Sequence, residues 1–204
     1  MRSSVVGLAL AVLTVLALLV GGTAPAEGRT AAAGSTAGIG APADGRSARS
    51  AVSWPAPTAL SERADAAALR NVWGERLAEH VHTHLTVLDG ATPVTVPANV
   101  GHSDRLRFAA QLHTHDTSGI LHVESPTRRA FTLGQFFDEW GVPLSAWRVG
   151  GLRGELTVWV DGHRFIGNPR TIELTNRREI VLAVTSIGEV PRLPPAFDWP
   201  PQYR

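Results

Sequence analysis

The sequence predicts an α+β domain, mostly antiparallel β-sheet, with one central helix and a short helix at its start. Three observations carry that expectation. HVHTHLTVLDGATPVTVP (80–97) and QLHTHDTSGILHVES (111–125) each place a Gly-containing turn between β-prone runs, which is how a hairpin reads. TLGQFFDEWG (132–141) carries a helix-start signal and a helix-stop signal around an apolar stripe. ELTVWVDGHRF (155–165) and REIVLAV (178–184) read as later strands. Strands and helix that are segregated along a chain favour a sheet covered by a helix on one face, in a β-grasp-like arrangement or a small sandwich.

The elements follow in chain order. After Arg2, the stretch from Val5 to Val20 carries no charge and leads to Ala24-Pro25-Ala26, a small-residue pattern suited to cleavage after Ala26. Residues 1–26 are therefore expected to be an export signal. The apolar run is at the short end for crossing a hydrocarbon core of roughly 30 Å, and an uncleaved leader would tether the protein to a membrane. Residues 27–57 are Ala, Gly, Ser, Thr and Pro with scattered Arg, too poor in large apolar groups to offset the entropy of ordering, and are expected to be a disordered linker. Residues 58–204 form one expected His-rich domain. It opens with a helix in which Ser61 is the N-cap and Leu69, Val72, Trp73 and Leu77 fall at helical spacing, although Gly74 interrupts it. In the later helix Thr132 and Gln135 have the spacing of a capping box, Phe136, Phe137 and Trp140 supply the core face, and Gly141 is the C-terminal cap. The tail VPRLPPAFDWPPQYR is too rich in proline for regular structure and is expected to lie against the domain through Phe197 and Trp199.

Composition removes whole classes of chemistry. The chain of 204 residues has no cysteine, so disulfides, thiolate ligands, cysteine nucleophiles and a lipid-modified cysteine are excluded. All 19 basic residues are arginine, which excludes a phosphate-loop lysine and a Schiff-base lysine. Against 18 acidic residues the balance is near neutral, so there is no broad electrostatic footprint for nucleic acid. No G-x-S-x-G elbow or H-E-x-x-H helix occurs.

What stands out is the histidines, eight in all. A turn at Asp116 to Gly119 sets His113 opposite His122, His115 opposite Ile120 and Gln111 opposite Glu124. Side chains alternate along a strand, so His113, His115, His122 and Glu124 share one face. Opposed β-carbons lie about 4.5–5.5 Å apart and i, i+2 neighbours about 6.6 Å apart, close enough for three imidazoles to converge on one ion. The first hairpin adds His82 and His84, with His80 one step further out, on the face opposite Val81, Thr83, Leu85 and Val87. If the hairpins are neighbours, four or five imidazoles ring one site, with Asp116, Glu124 and His80 as outer-shell partners or further ligands. Neutral imidazole without sulfur suits copper or zinc. His102 and His163 stand alone in loop-like contexts and read as ordinary half-exposed side chains.

Read together, HVHTHL (80–85), VPANVG (96–101), LHTHDTSGILHVESP (112–126) and FTLGQFFDEWGV (131–142) resemble an uncharacterised family of exported or membrane-anchored bacterial and archaeal proteins. The resemblance covers roughly residues 78–185. It implies a shared fold and a shared histidine constellation on His82, His84, His113, His115 and His122, and brings no established activity. The family pattern has a histidine before its final Glu-Ile strand; here Asn176-Arg177-Arg178 precede Glu179-Ile180, so that ligand is absent. The HTHD run is also similar to the opening motif of histidinol-phosphatase-type phosphoesterases, but too little chain follows Asp116 for their barrel. A cupin would need a glutamate three or four residues after its second histidine, where this chain has its turn.

The expected function is binding of a transition-metal ion, copper or zinc, by a secreted or otherwise extracytoplasmic protein. Two other readings use the same residues. One is a metal-dependent hydrolase or cupin-like enzyme with Glu124 or Asp116 as general base. The other is a non-catalytic interaction module with a structural or pH-sensitive histidine ladder.

Overall fold

The computed structural model describes residues 52–203, all within one compact unit spanning residues 48–204. The expected leader (1–26) and most of the expected linker lie outside the described residues. The rest of that linker is part of the domain: Val52, Trp54 and Ala56 pack against the core, and the Trp54 carbonyl accepts a hydrogen bond from Trp140 Nε1 at 3.2 Å. The folded part thus begins ahead of residue 58, because a single tryptophan outweighs the small residues around it.

The chain forms α1 (Leu60–Ala66), β1 (Glu79–Asp89), β2 (Thr92–Val94), β3 (His102–Ser103), β4 (Phe108–Ala109), β5 (Leu112–His113) and β6 (Ile120–Ser125). It continues with α2 (Leu133–Trp140), β7 (Leu144–Ser145), β8 (Arg148–Val149), β9 (Glu155–Val160), β10 (His163–Arg164) and β11 (Arg178–Thr185). This is an α+β fold with a seven-stranded mixed sheet, ordered β10-β9-β11-β1-β6-β5, and β2 on the second half of β1. Every pairing in the sheet is antiparallel except the central one, β1 with β11, which runs parallel from Thr83↔Arg178 to Asp89↔Val184. Hairpin patterns report only strands that are adjacent in sequence, so this crossover was beyond them.

One face of the sheet makes the core. Leu85 and Val87 of β1, Leu121 and Val123 of β6, Leu112 of β5, and Ile180 and Leu182 of β11 bury against Phe136, Phe137 and Trp140 of α2. The capping box is present: Thr132 Oγ1 accepts from Gln135 N at 3.4 Å and Gln135 Oε1 from Thr132 N at 3.1 Å. Gly141 closes the helix in the left-handed region at φ +82°, its N–H donating to Phe137 O at 2.9 Å. Burying each large ring stabilises the fold by about 1.5–3 kcal/mol.

The first helix is shorter than its apolar spacing suggests. It stops at Ala66, its N-cap is Ala59 with no side-chain cap, and Leu69, Val72, Trp73 and Leu77 lie beyond it. The backbone there is engaged in tertiary pairing: Val72 N donates to Ala109 O at 2.8 Å and Gln111 N to Arg70 O at 3.1 Å. Positive φ at Ala68 (+54°) and Gly74 (+74°) rules out a continued helix.

On the opposite face the tail crosses the sheet. Phe197 N donates to Glu179 Oε2 at 3.0 Å, the Phe197 ring stacks on His84 with centroids 3.6 Å apart, and Trp199 is buried. Beside this, Leu88, Trp159, Val181 and Ala183 form a second, small apolar cluster. Among the described residues no helix is long and apolar enough to cross a membrane.

Candidate metal centre

The histidine face is built by strand register. His113 of β5 pairs with His122 of β6, and His122 pairs on its other side with His82 of β1. One row across three strands therefore carries three imidazoles. Their ring centroids, 4.6 Å apart for His82 and His122 and 5.2 Å for His122 and His113, bracket the 4.7–4.9 Å spacing of neighbouring strands. His80 precedes His82 by two residues and lies opposite Glu124. His115, just past β5, folds back to 4.5 Å from the His122 ring and 4.8 Å from His113. Gly119 makes this turn possible: at φ +84° a Cβ there would meet Leu85 O at 2.5 Å.

Two trios of nitrogens lie close enough to hold a metal ion. His113, His115 and His122 form one, His80, His82 and His122 the other, with the ligand atoms of each within 4.8 Å of one another. In the first, His113 Nδ1 lies 2.8 Å from Ala110 O. A carbonyl only accepts, so Nδ1 carries the proton and the Nε2 lone pair is free. That Nε2 is 3.2 Å from His115 Nε2. Zinc–nitrogen bonds of about 2.0–2.1 Å in tetrahedral geometry put two ligand nitrogens about 3.3 Å apart. The observed separation is thus close to one edge of a tetrahedral shell.

Burial holds these rings neutral. His113 is pushed down to about 3, His122 to about 2 and His82 to about 4, chiefly by burial and then by neighbouring imidazoles that oppose a second positive charge. His102 is lowered by burial and by His115. His84 is lowered by burial, with the Ser118 carbonyl pulling the other way. Two buried nitrogens, His82 Nε2 and His122 Nδ1, have no hydrogen-bond partner. Leaving such atoms unpaired costs about 1–3 kcal/mol each, and native structures rarely do so without a reason.

Not every candidate joins the cluster. His84 is in neither trio: its Nε2 lies 3.0 Å from Ser118 O and its ring is covered by Phe197. Asp116 is engaged in the turn, accepting from Ser118 N at 2.8 Å, and hydrogen bonding by the Ser118 side chain, then by its backbone, holds the carboxyl below the usual range. Glu124 is placed beside both trios, with Oε1 3.3 Å from His80 Nε2 and 3.9 Å from His113 Nε2. His163 is exposed on β10 at the far edge of the sheet.

Comparison with protein families, with curated proteins and with solved structures finds no match for this chain. The site therefore has to be read from its own geometry.

Two further residues belong to that geometry: His102, which is buried where its sequence context reads as half-exposed, and Tyr203. His102 lies with its ring 4.4 Å from His115 and 5.4 Å from His113. It gets there because the preceding loop hugs Thr114, with Thr114 N donating to Val100 O at 3.0 Å, and because Gly101 at φ +64° passes where a Cβ would meet Leu112 O at 2.7 Å. Nothing local to His102 signals this approach. Tyr203, near the end of the tail, sets its ring 4.4 Å from His82 and 5.8 Å from His122. Beside the first trio opens a cleft of about 400 Å³, with Trp73, His102, His113, His115 and Glu124 in its wall.

Proposed function

We propose that this chain is an exported protein that binds a transition-metal ion, copper or zinc, through His113, His115 and His122. The observation that carries the reading is the 3.2 Å separation of the His113 and His115 Nε2 atoms, with His113 fixed in the tautomer that leaves Nε2 free. An all-nitrogen shell in a chain without cysteine suits copper or zinc. Export rests on the leader pattern of residues 1–26, and kinship with the exported family rests on the histidine-bearing motifs. One seven-stranded sheet with a parallel central pair, beside two small two-stranded ones, and a helix across one face favour the β-grasp-like arrangement over a sandwich. The test is elemental analysis of untagged, freshly purified protein. About one equivalent or more of copper or zinc is expected to survive desalting, and the equivalent held by this trio to be lost from a His113→Ala, His115→Ala variant. Metal-free protein that takes up neither ion on addition overturns the reading.

The cleft beside the first trio favours a second reading, a metal-dependent hydrolase. There an open coordination position on the ion would carry water, and Glu124, with Oε1 3.9 Å from His113 Nε2, would accept its proton. Hydrolysis of a small ester lost on Glu124→Gln with metal retained would support it.

A further inference from the structure

We propose that the histidine cluster holds two metal ions, bridged by the His122 imidazole in its imidazolate form. The proposal rests on the metal-binding reading and deepens it. The two trios share one residue, His122. Each ring nitrogen has one lone pair to give, so a ring that belongs to both trios serves both only by turning one nitrogen to each.

The position of His122 provides for this. It is on β6, the strand between β1 and β5, with His82 on one side and His113 on the other in a single register row. Its ring plane stands perpendicular to those of His82 at 4.6 Å and His115 at 4.5 Å, one member of each trio. The second trio also carries its own sign of an intended ligand. His82 Nε2 and His122 Nδ1 are buried without a hydrogen-bond partner, whereas the Nδ1 of His113 is satisfied by Ala110. Glu124 lies between the trios, 3.3 Å from His80 and 3.9 Å from His113, where its carboxylate offsets part of the charge of two cations.

The proton balance is simple. The first ion takes the lone pair of one His122 nitrogen. The second takes the electron pair of the other, displacing its N–H proton to solvent, and the bound cation makes that loss easier. The fitting class is a pair of nitrogen-preferring divalent ions, and copper(II) is the informative probe because a bridging imidazolate couples two unpaired spins.

Copper(II) is titrated into the untagged full chain, with bound metal read by elemental analysis and spin by electron paramagnetic resonance. The bridge predicts two coppers per chain and, at saturation and liquid-helium temperature, an integrated signal below about a tenth of the bound copper. His82→Ala and His113→Ala should each stop at one copper with full signal, and circular dichroism identifies any variant that fails to fold. Since each removes a different trio, one folded variant suffices. Two coppers with full, additive signal, or saturation at one copper, overturns the bridge and leaves the metal-binding reading standing. Failure to bind copper or zinc at all overturns both.

Discussion

On one face of β1, Thr83, Leu85 and Val87 sink into the core beneath α2; on the other lie His80, His82 and His84, the last two against the tail. The two rows share a backbone and differ in what holds them. The core row is held by contact with large rings, so its geometry and the stability of the fold are one thing. The histidine row is placed by the hydrogen-bond ladders of β1, β6 and β5, and its rings add few bonds of their own. A site of this kind can be altered without dismantling the domain beneath it.

The sharpest way to break the comparison is a substitution on the helix side. Phe137→Ala is expected to cost about 3–5 kcal/mol, read as a lower urea midpoint, because a fully buried ring leaves a cavity. A loss below about 1 kcal/mol would mean that the helix face is not the stabilising one.

Glu139 gives the next largest effect and the opposite sign. It is fully buried in α2 with neither carboxylate oxygen hydrogen-bonded, and burial pushes it up to about 8, with Arg63 opposing. A carboxyl raised in the folded state leaves stability intact below its unfolded value near 4.5, then drains it as pH climbs towards 8. Glu139→Gln should therefore match the parent protein near pH 4 and exceed it by about 2–4 kcal/mol near pH 9. Parallel urea titrations across that range read the difference, and curves that stay superimposed would show that Glu139 finds a partner when it ionises.

Smaller effects belong to the histidine face. Phe197→Ala removes the stack on His84, worth about 0.5–1.5 kcal/mol beyond its buried area, and should raise hydrogen exchange in residues 190–203 while sparing β6. His115 is exposed, so His115→Ala should move stability by less than about 0.5 kcal/mol. The same variant should lose at least tenfold in zinc affinity and the thermal stabilisation that zinc gives the parent. Unchanged zinc affinity would remove His115 from the site.

What was legible in the sequence divides along the same line. The pairing of His113 with His122 follows from a local signal, the Asp116 to Gly119 turn, whose chemistry fixes which residues face each other. The alignment of His82 with His122 needs the pairing of β1 with β6, strands separated by four short ones, and no spacing rule reports it. His102 stayed hidden because its approach depends on Gly101 slipping past Leu112 and Glu139, a contact between distant parts of the chain. The stretch from Leu69 to Leu77 misled for a related reason. Its helical spacing is genuine, but pairing with residues 109–111 claimed its backbone. The helix at 133–140, whose caps are local in sequence, was readable to the residue.

The parallel pairing at the middle of the sheet carries a consequence for biogenesis. Thr83 meets Arg178, on the order of a hundred residues further along the chain, so one side of β1 stays unpaired until the chain has been made through β11. Contacts of such long range make folding slow and late. The central pair therefore closes after the β1, β6 and β5 ladders that align the histidines are already available.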